Sequence, residues 1–296
     1  MVPAHTHVGA HVNPQGEKVG KKKLFLWKIE PGNKRPGSFI LGSVHFLKES
    51  FYPLAQTIER SFAQSSVLAV ETYATPGERV SAAMAKGIYR AAQPQTLENQ
   101  ISAKTYSLVQ DRLKTFGIDT GLFKKFKPWY LAQTISYMEI TARGFQPDSG
   151  LDVYFLAKAK KDPGKKILAL EKVEEQIDFY DRLPPGVNEA YLLASLQENP
   201  GSDGNQGIEA VAAAWSAGDT RAMERLLNRE IKKKPGLALL YEKLIYERNR
   251  NMAERIRSLL TTGDKSYFFL VGAFHLVGQR GIIEILKEKG FQLRQL

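Results

Sequence analysis

The sequence predicts an α/β fold, and two observations carry this prediction. Short apolar runs, of the length and composition of buried strands, recur along the 296 residues. Between them lie longer segments whose apolar residues repeat at steps of three and four, as on one face of a helix. Hydrophobic residues make up 43% of the chain, which is enough for a large core. Strands that alternate with helices are typical of α/β proteins.

The first ordered element is expected to be a hairpin. An apolar run at 24–29 and a second at 38–44 flank the turn signal Pro31-Gly32-Asn33. Residues 51–65 are expected to be helical, and the run at 67–70 then completes a strand, helix, strand succession.

Helices are expected to dominate two long segments, residues 78–160 and 187–260, the second broken by a loop at 199–207 that is rich in Pro, Gly, Ser and Asp. Within and around these segments the apolar spacing predicts helices at 104–116, 128–141, 152–161 and 281–289, and strands at 167–170, 267–271 and 291–293.

Residues 1–22 predict a flexible leader, because they are rich in Gly, Pro, His and Lys and lack periodicity. His5, His7 and His11 lie there, and a flexible tail holds a metal ion poorly. Residues 23–296 are expected to form one domain. No apolar run approaches the ~20 residues that span a bilayer, so no transmembrane segment is expected.

Charge and cysteine content exclude several classes of site. The net charge of +11 comes from scattered lysines without a nucleic-acid motif, which indicates a solvated surface rather than a nucleic-acid face. Without cysteine there is no disulfide, no thiolate catalysis and no zinc-thiolate site. A chain without thiols suits the bacterial periplasm, so a periplasmic or secreted protein is expected, with the cytoplasm as the alternative.

Four apolar runs end in residues that can do chemistry: His45, Glu71, Glu171 and His275. Both histidines close a Gly-x-x-His tetrapeptide. The carboxyl ends of strands in an α/β sheet form the ligand crevice, so these four side chains are candidates for one site. Imidazole and carboxylate are the expected ligands of a divalent metal when thiolate is absent. The alternative is that they are structural histidines and ion-paired or capping glutamates.

The ordered set of motifs resembles the TraB/GumN family, which includes the TIKI membrane-anchored metalloproteases. The resemblance extends from about Leu24 to the C-terminus and rests on these motifs: Leu41-Gly42-Ser43-Val44-His45, residues 67–71, Lys127-Pro128-Trp129, Gly150-Leu151-Asp152, Leu170-Glu171 with Glu174 and Gln176, Glu247-Arg248-Asn249 with Met252-Ala253, and Val271-Gly272-Ala273-Phe274-His275. One position departs from the pattern, because Thr72 stands where many members carry a second acidic residue.

The resemblance implies a mixed central sheet with flanking helices and a large helical insertion, as in ChaN-like and erythromycin-esterase-like proteins. It also implies metal-dependent hydrolysis, with peptide or protein as the substrate. The implied cofactor is a divalent ion such as Mn, Co or Zn. By this resemblance His45 and His275 are expected to bind the metal, and Glu71 to act as a ligand or general base. Their chemistry makes Glu171 and Arg248 further catalytic candidates, with a structural salt bridge as the alternative for Arg248. The candidates for substrate binding are Lys127, Trp129, Gln176 and Asn249.

Two other functions fit the same residues. A non-catalytic protein could bind or inhibit a peptide ligand in the crevice. A metal-independent hydrolase of the esterase type could use His45 as a base toward water. A homo-oligomer is compatible with either function.

Overall fold

The computed structural model describes residues 23–30, 37–197, 207–233, 235–262 and 264–296. Three expectations lie wholly or largely outside these ranges: the leader at 1–22, the turn at 31–33, and the loop at 199–207 up to its last residue.

Within the described ranges the chain forms six strands and twelve α-helices. The strands are β1 Leu26–Ile29, β2 Ser38–Ser43, β3 Val67–Thr72, β4 Lys166–Glu171, β5 Tyr267–Gly272 and β6 Leu293–Gln295. The helices are α1 Gln56–Ala63, α2 Pro76–Gly87, α3 Ala103–Thr115, α4 Pro128–Ala142, α5 Leu151–Lys160, α6 Val173–Asp181, α7 Pro185–Leu196, α8 Ile208–Ser216, α9 Thr220–Lys233, α10 Ala238–Tyr241, α11 Arg248–Thr262 and α12 Ile282–Glu288.

One mixed sheet in the order β4-β3-β5-β2-β1-β6 forms the centre of the molecule. The four strands β4, β3, β5 and β2 are mutually parallel. On the other side β1 pairs antiparallel with both β2 and β6. The predicted hairpin of the first two strands is therefore confirmed, as is the mixed α/β class.

The strands β2, β3 and β5 are largely apolar because both of their faces are covered. Every residue of β2, β3 and β5 is buried, whereas the edge strands β4 and β6 are partly exposed. Parallel strands that are buried on both faces read as continuous apolar runs, which is why the sequence revealed them.

The helical insertion has an apolar core of its own. Helices α2 to α5 connect β3 to β4, and α6 to α11 connect β4 to β5. Side chains of α3, α4 and α7 pack together there, among them Val109, Leu131, Ile135 and Leu192. In the ranges that the structure describes, no helix is long and apolar enough to cross a membrane.

Two predicted boundaries are wrong. The helix expected at 51–65 begins only at Gln56, after a short 3-10 turn at Glu49–Phe51. Tyr52 is extended (φ −103°, ψ 148°), the conformation that a following proline favours. The terminal strand begins at Leu293 rather than 291, because the backbone N–H of Phe291 still donates to Leu286 and closes the end of α12.

Candidate functional site

Four adjacent parallel strands deliver their carboxyl ends to one edge of the sheet. Glu171 ends β4, Glu71 lies near the end of β3, and His275 and His45 follow β5 and β2. Across the sheet from β4 to β2, these side chains therefore follow one another in the order Glu171, Glu71, His275, His45. The topology thus places all four predicted side chains along the edge where α/β proteins form their crevice.

Arg248, from the start of α11, lies between the two glutamates. Its Nη2 pairs with Glu71, and its Nε and Nη2 lie 2.9 and 2.8 Å from Glu171 Oε2. Gln176 of α6 donates to both carboxylates, at 3.2 Å to Glu71 and 3.0 Å to Glu171. The four side chains form a compact and largely buried cluster, and the guanidinium neutralises part of its negative charge.

A π-helical segment, Glu242–Glu247, immediately precedes Arg248. Such wide turns are rare and recur at functional sites. The carbonyl of Leu244 accepts a hydrogen bond from Arg248 Nη1 at 3.0 Å, and the carbonyl of Ile245 accepts one from His275. The segment therefore fixes both the guanidinium and the imidazole through the backbone.

His275 is buried beside Glu71, with its Nε2 4.0 Å from Glu71 Oε2. Its other ring nitrogen, Nδ1, lies 2.6 Å from Asn249 Oδ1. Asn249 is fully buried and its Nδ2 donates to the carbonyl of Arg280 at 2.7 Å. The amide predicted to contact substrate thus lies behind the imidazole, in contact with His275.

His45 lies at the rim of the site, with 45% of its side chain exposed. Its Nδ1 is 2.6 Å from Asp152 Oδ2, and the hydroxyl of Ser43 donates to the same oxygen at 2.6 Å. Asp152 is buried in the first turn of α5. Because Ser43 donates to the carboxylate, these three residues are not arranged as a Ser-His-Asp nucleophile triad, in which the hydroxyl contacts the imidazole.

The two motif glycines are required by close contacts. A Cβ on Gly272 would lie 3.2 Å from the His275 ring and 3.3 Å from Glu71 Oε2. The backbone N–H of Gly272 also donates to that same Glu71 oxygen at 3.1 Å. A Cβ on Gly42 would lie 2.4 Å from the Phe25 ring. Each Gly-x-x-His therefore begins at a point where the backbone is approached closely by a side chain.

The protein environment shifts the pKa values of Glu71 and Glu171 in opposite directions. Burial favours the neutral form of both. Around Glu71, however, Arg248, the two histidines and the backbone N–H of Gly272 together outweigh burial and hold the pKa well below its ordinary value. For Glu171 burial dominates, and with the nearby charge of Glu71 it raises the pKa despite Arg248. Two carboxylates with separated pKa values are suited to different tasks in a reaction.

The pKa values of the two imidazoles, His275 and His45, are also shifted in opposite directions. Burial lowers the pKa of His275 to about 4, and Arg248 contributes in the same direction, so this ring is neutral at pH 7. The carboxylate of Asp152 raises the pKa of His45. Since His275 is neutral, the positive charge facing Glu71 belongs chiefly to Arg248.

Lys127 and Trp129 lie at the start of α4 and share one partner. Lys127 Nζ is 2.5 Å from Asp181 Oδ1, and Trp129 Nε1 donates to the same atom at 3.3 Å. Trp129 is fully buried and stacks on Tyr180, with ring centroids 5.7 Å apart. Tyr180 follows Gln176 by one turn of α6, so this aromatic pair is connected to the glutamate cluster through that helix. Their predicted role in substrate binding stays a prediction.

Three features of the site were not predicted from the sequence: the pairing of Asp152 with His45, its support by Ser43, and the π-helical segment. The only indication in the sequence that Asp152 belongs to the site was its position in the Gly150-Leu151-Asp152 motif. Thr72, which stands where related sequences carry a second acid, is buried, and its Oγ1 has no hydrogen-bond partner among the described residues.

Comparison with known proteins gives distant relatives that share one name. The chain is 24% identical to a metalloprotease TIKI homolog of Amphimedon queenslandica over 92% of its own length and 61% of the relative's. It is 22% identical to metalloprotease TIKI2 of Danio rerio, covering 91% of the chain and 60% of the relative, and 22% identical to metalloprotease TIKI1 of Homo sapiens, covering 91% and 61%. The chain thus spans about three fifths of the length of these curated relatives.

No solved structure matches the chain significantly. The model of the TraB/PrgY/gumN family, however, matches residues 25–295, from β1 to β6. This match includes every strand and every side chain of the candidate site, and it shows that the chain belongs to the TraB/PrgY/gumN family.

Proposed function

We propose that this protein is a metal-dependent hydrolase that cleaves a peptide or protein substrate. The observation that carries the proposal is the placement of two imidazoles and a carboxylate, His45, His275 and Glu71, at the ends of three adjacent parallel strands. The name that the relatives share, metalloprotease, supports the same class of reaction.

The donors fit a divalent metal in kind. Both Nδ1 atoms are held by a second side chain, Asn249 or Asp152, which leaves Nε2 as the nitrogen that can bind a ligand. Support of this type behind a ligating histidine is general in metal sites. The low pKa of His275 keeps its ring neutral, as a ligand must be. In the part of the chain that the structure describes, however, no three His, Cys, Asp or Glu side chains are grouped closely enough to hold an ion as they stand.

His45, His275 and Glu71 would hold the ion. A divalent ion of this kind supplies Lewis acidity and a water whose pKa is lowered toward neutrality. Glu171 is the residue we propose as general base, because its pKa is raised and it lies in the same cluster. Arg248 has its donors directed at Glu71, Glu171 and the Leu244 carbonyl, so we propose that it orients both carboxylates.

For location we propose the periplasm or the exterior of the cell. The absence of cysteine from all 296 residues supports this, because a free thiol would be oxidised there. A reporter that is active only after export, fused to the full-length gene, tests the compartment. A fusion protein that accumulates without any reporter activity would contradict this part of the proposal.

Metal-induced thermal stabilisation tests the metal site directly, since an ion that binds the native state must raise its stability. The full chain with His5, His7 and His11 changed to Gln is the reference, because these residues could otherwise bind metal. We expect Mn, Co or Zn to raise the melting temperature of the reference, and His45→Ala and His275→Ala each to abolish the shift.

A control variant and an activity assay complete this test. Glu254→Gln, which alters an exposed carboxylate paired with Arg257, should keep the full metal shift. The ion that stabilises the reference should then support cleavage in a peptide-library screen, and a chelator should stop it. Absence of any metal shift in the reference would overturn the metal-dependent reaction.

A metal-independent hydrolase is the second candidate, and the His45–Asp152 contact favours it. An exposed imidazole whose Nδ1 is held by a buried carboxylate is oriented as a general base toward water. Peptide or ester cleavage that persists in chelator and is lost in His45→Ala would support this candidate over the first.

A further inference from the structure

We propose that Asn249 and Asp152 are positioning residues that hold His275 and His45 as the same tautomer, with the proton on Nδ1 and the lone pair on Nε2. Neither residue touches the reacting atoms in this proposal. Each acts through the imidazole that it contacts, and the two contacts come from different helices, α11 and α5.

For His275 the tautomer follows from a chain of hydrogen bonds. The carbonyl of Arg280 can only accept, so the Asn249 atom at 2.7 Å from it is the amide NH₂. The amide oxygen therefore faces His275, at 2.6 Å from Nδ1, and it too can only accept. Nδ1 must therefore carry the proton.

For His45 the argument uses Asp152 and Ser43. The Ser43 hydroxyl donates to Asp152 Oδ2 at 2.6 Å, and His45 Nδ1 lies 2.6 Å from the same oxygen. An ionised carboxylate is acceptor-only, so it receives both protons. Nδ1 of His45 is again the protonated nitrogen, and Nε2 on the far side of the ring is free to act.

Burial makes the arrangement specific for His275. Asn249 is fully buried and His275 nearly so, hence a ring flip or a change of tautomer would leave a polar group without its partner. The His45 side chain is 45% exposed, and the buried Asp152 holds its Nδ1 at 2.6 Å. The His275 ring is thus held by packing and the neutral amide of Asn249, and the His45 ring by the charged carboxylate of Asp152.

The use of both Nε2 atoms as ligands rests on the proposed function, whereas the tautomers themselves can be measured without metal. The full chain contains five histidines, and changing His5, His7 and His11 to Gln leaves only the two rings of interest. Long-range proton–nitrogen correlation spectra of this labelled protein, recorded at alkaline pH in chelator, distinguish a protonated from an unprotonated ring nitrogen.

We expect both rings to show a protonated Nδ1 and an unprotonated Nε2. An unprotonated Nδ1 in either ring would overturn the inference for that residue. The parent spectrum decides this even if a variant fails to fold.

Paired variants then test the two positioning residues. Asn249→Asp keeps an acceptor oxygen toward the ring and should keep the Nδ1–H signature, whereas Asn249→Leu and Asp152→Leu remove the acceptor and should lose the signature. Ser43→Ala, which contacts Asp152 but not the ring, is the matched control and should keep it. Retention of the signature in both leucine variants would overturn the positioning role.

Metal titration separates this inference from the proposed function. Where the reference binds metal, the leucine variants should bind it about 10- to 100-fold more weakly, as is usual when the support of a ligating histidine is removed. Nδ1–H signatures together with no metal binding would leave the inference standing and remove the metal-dependent function.

Discussion

Glu71 and Arg248 form a buried ion pair although 177 residues separate them in the sequence. Glu171 shares the same guanidinium, so one cation serves two carboxylates whose pKa values burial raises. The pair connects β3 to α11 and thereby fixes the geometry of the strand-end site.

Arg248→Met should destabilise the protein by about 3–5 kcal/mol, because it leaves two buried carboxylates without their cation. Urea unfolding at neutral pH measures the change. Arg257→Met, which alters an exposed ion pair, should have little effect. Equal effects of the two changes would contradict the central role of Arg248, and adding Glu71→Gln and Glu171→Gln should restore part of the loss.

The free energy of unfolding of the metal-free protein should fall as pH decreases from about 6.5 to about 4, by up to ~3 kcal/mol from His275 alone. The unfolded chain protonates this ring near 6.5, while burial and Arg248 keep it neutral in the fold, where Glu71 and His45 are its other charged neighbours. This stability is therefore present above 6.5 and lost on acidification.

Two variants measure the sign of this effect. His275→Gln should flatten the pH dependence of unfolding in that range. His45→Gln should instead change the dependence above pH ~6.5 and in the opposite sense, since Asp152 raises the pKa of His45 and the contribution of this ring to stability is lost as pH rises from that value. A parent whose stability is constant between pH 4 and 6.5 would contradict the neutral state of His275.

Glu171→Gln should lower kcat by about 10²- to 10⁴-fold while leaving metal-induced stabilisation unchanged, because the residue acts as a base and does not hold the ion. Glu254→Gln is the matched control, and its kcat should equal that of the parent. Full activity of Glu171→Gln would remove the general-base role from this residue.

Gly272→Ala should cost about 1–3 kcal/mol, since the added Cβ would press on His275 and Glu71 at 3.2 and 3.3 Å. Gly77→Ala, within α2 and with no atom within 4 Å of the new Cβ, should be neutral or stabilising. Thermal unfolding measures both. A neutral Gly272→Ala would show that the imidazole and carboxylate can move apart at no cost.

Much of the sheet was predictable because its inner strands are buried on both faces and end in polar residues. Continuous apolar runs marked β2, β3 and β5, and His45, Glu71 and His275 marked their ends. The start of α1 was less predictable. Tyr52 precedes a proline and is extended, so the helix begins only at Gln56.

The contacts within the site were beyond prediction from the sequence because they are tertiary. His45 and Asp152 are 107 residues apart, and nothing in the local pattern of either indicates the other. Asn249 was recognised as a site residue, but only the structure shows that it faces the Arg280 carbonyl and the His275 ring rather than a crevice.

The position of β5 between β2 and β3 has a consequence for biosynthesis. During translation β5 leaves the ribosome after every other strand except β6, yet both of its neighbours in the sheet were made more than 190 residues earlier. Pairings of such long sequence separation form slowly and late. Until then the nascent chain holds Glu71 and His45 on strands that have no common neighbour, and the site is assembled only after β5 has been synthesised.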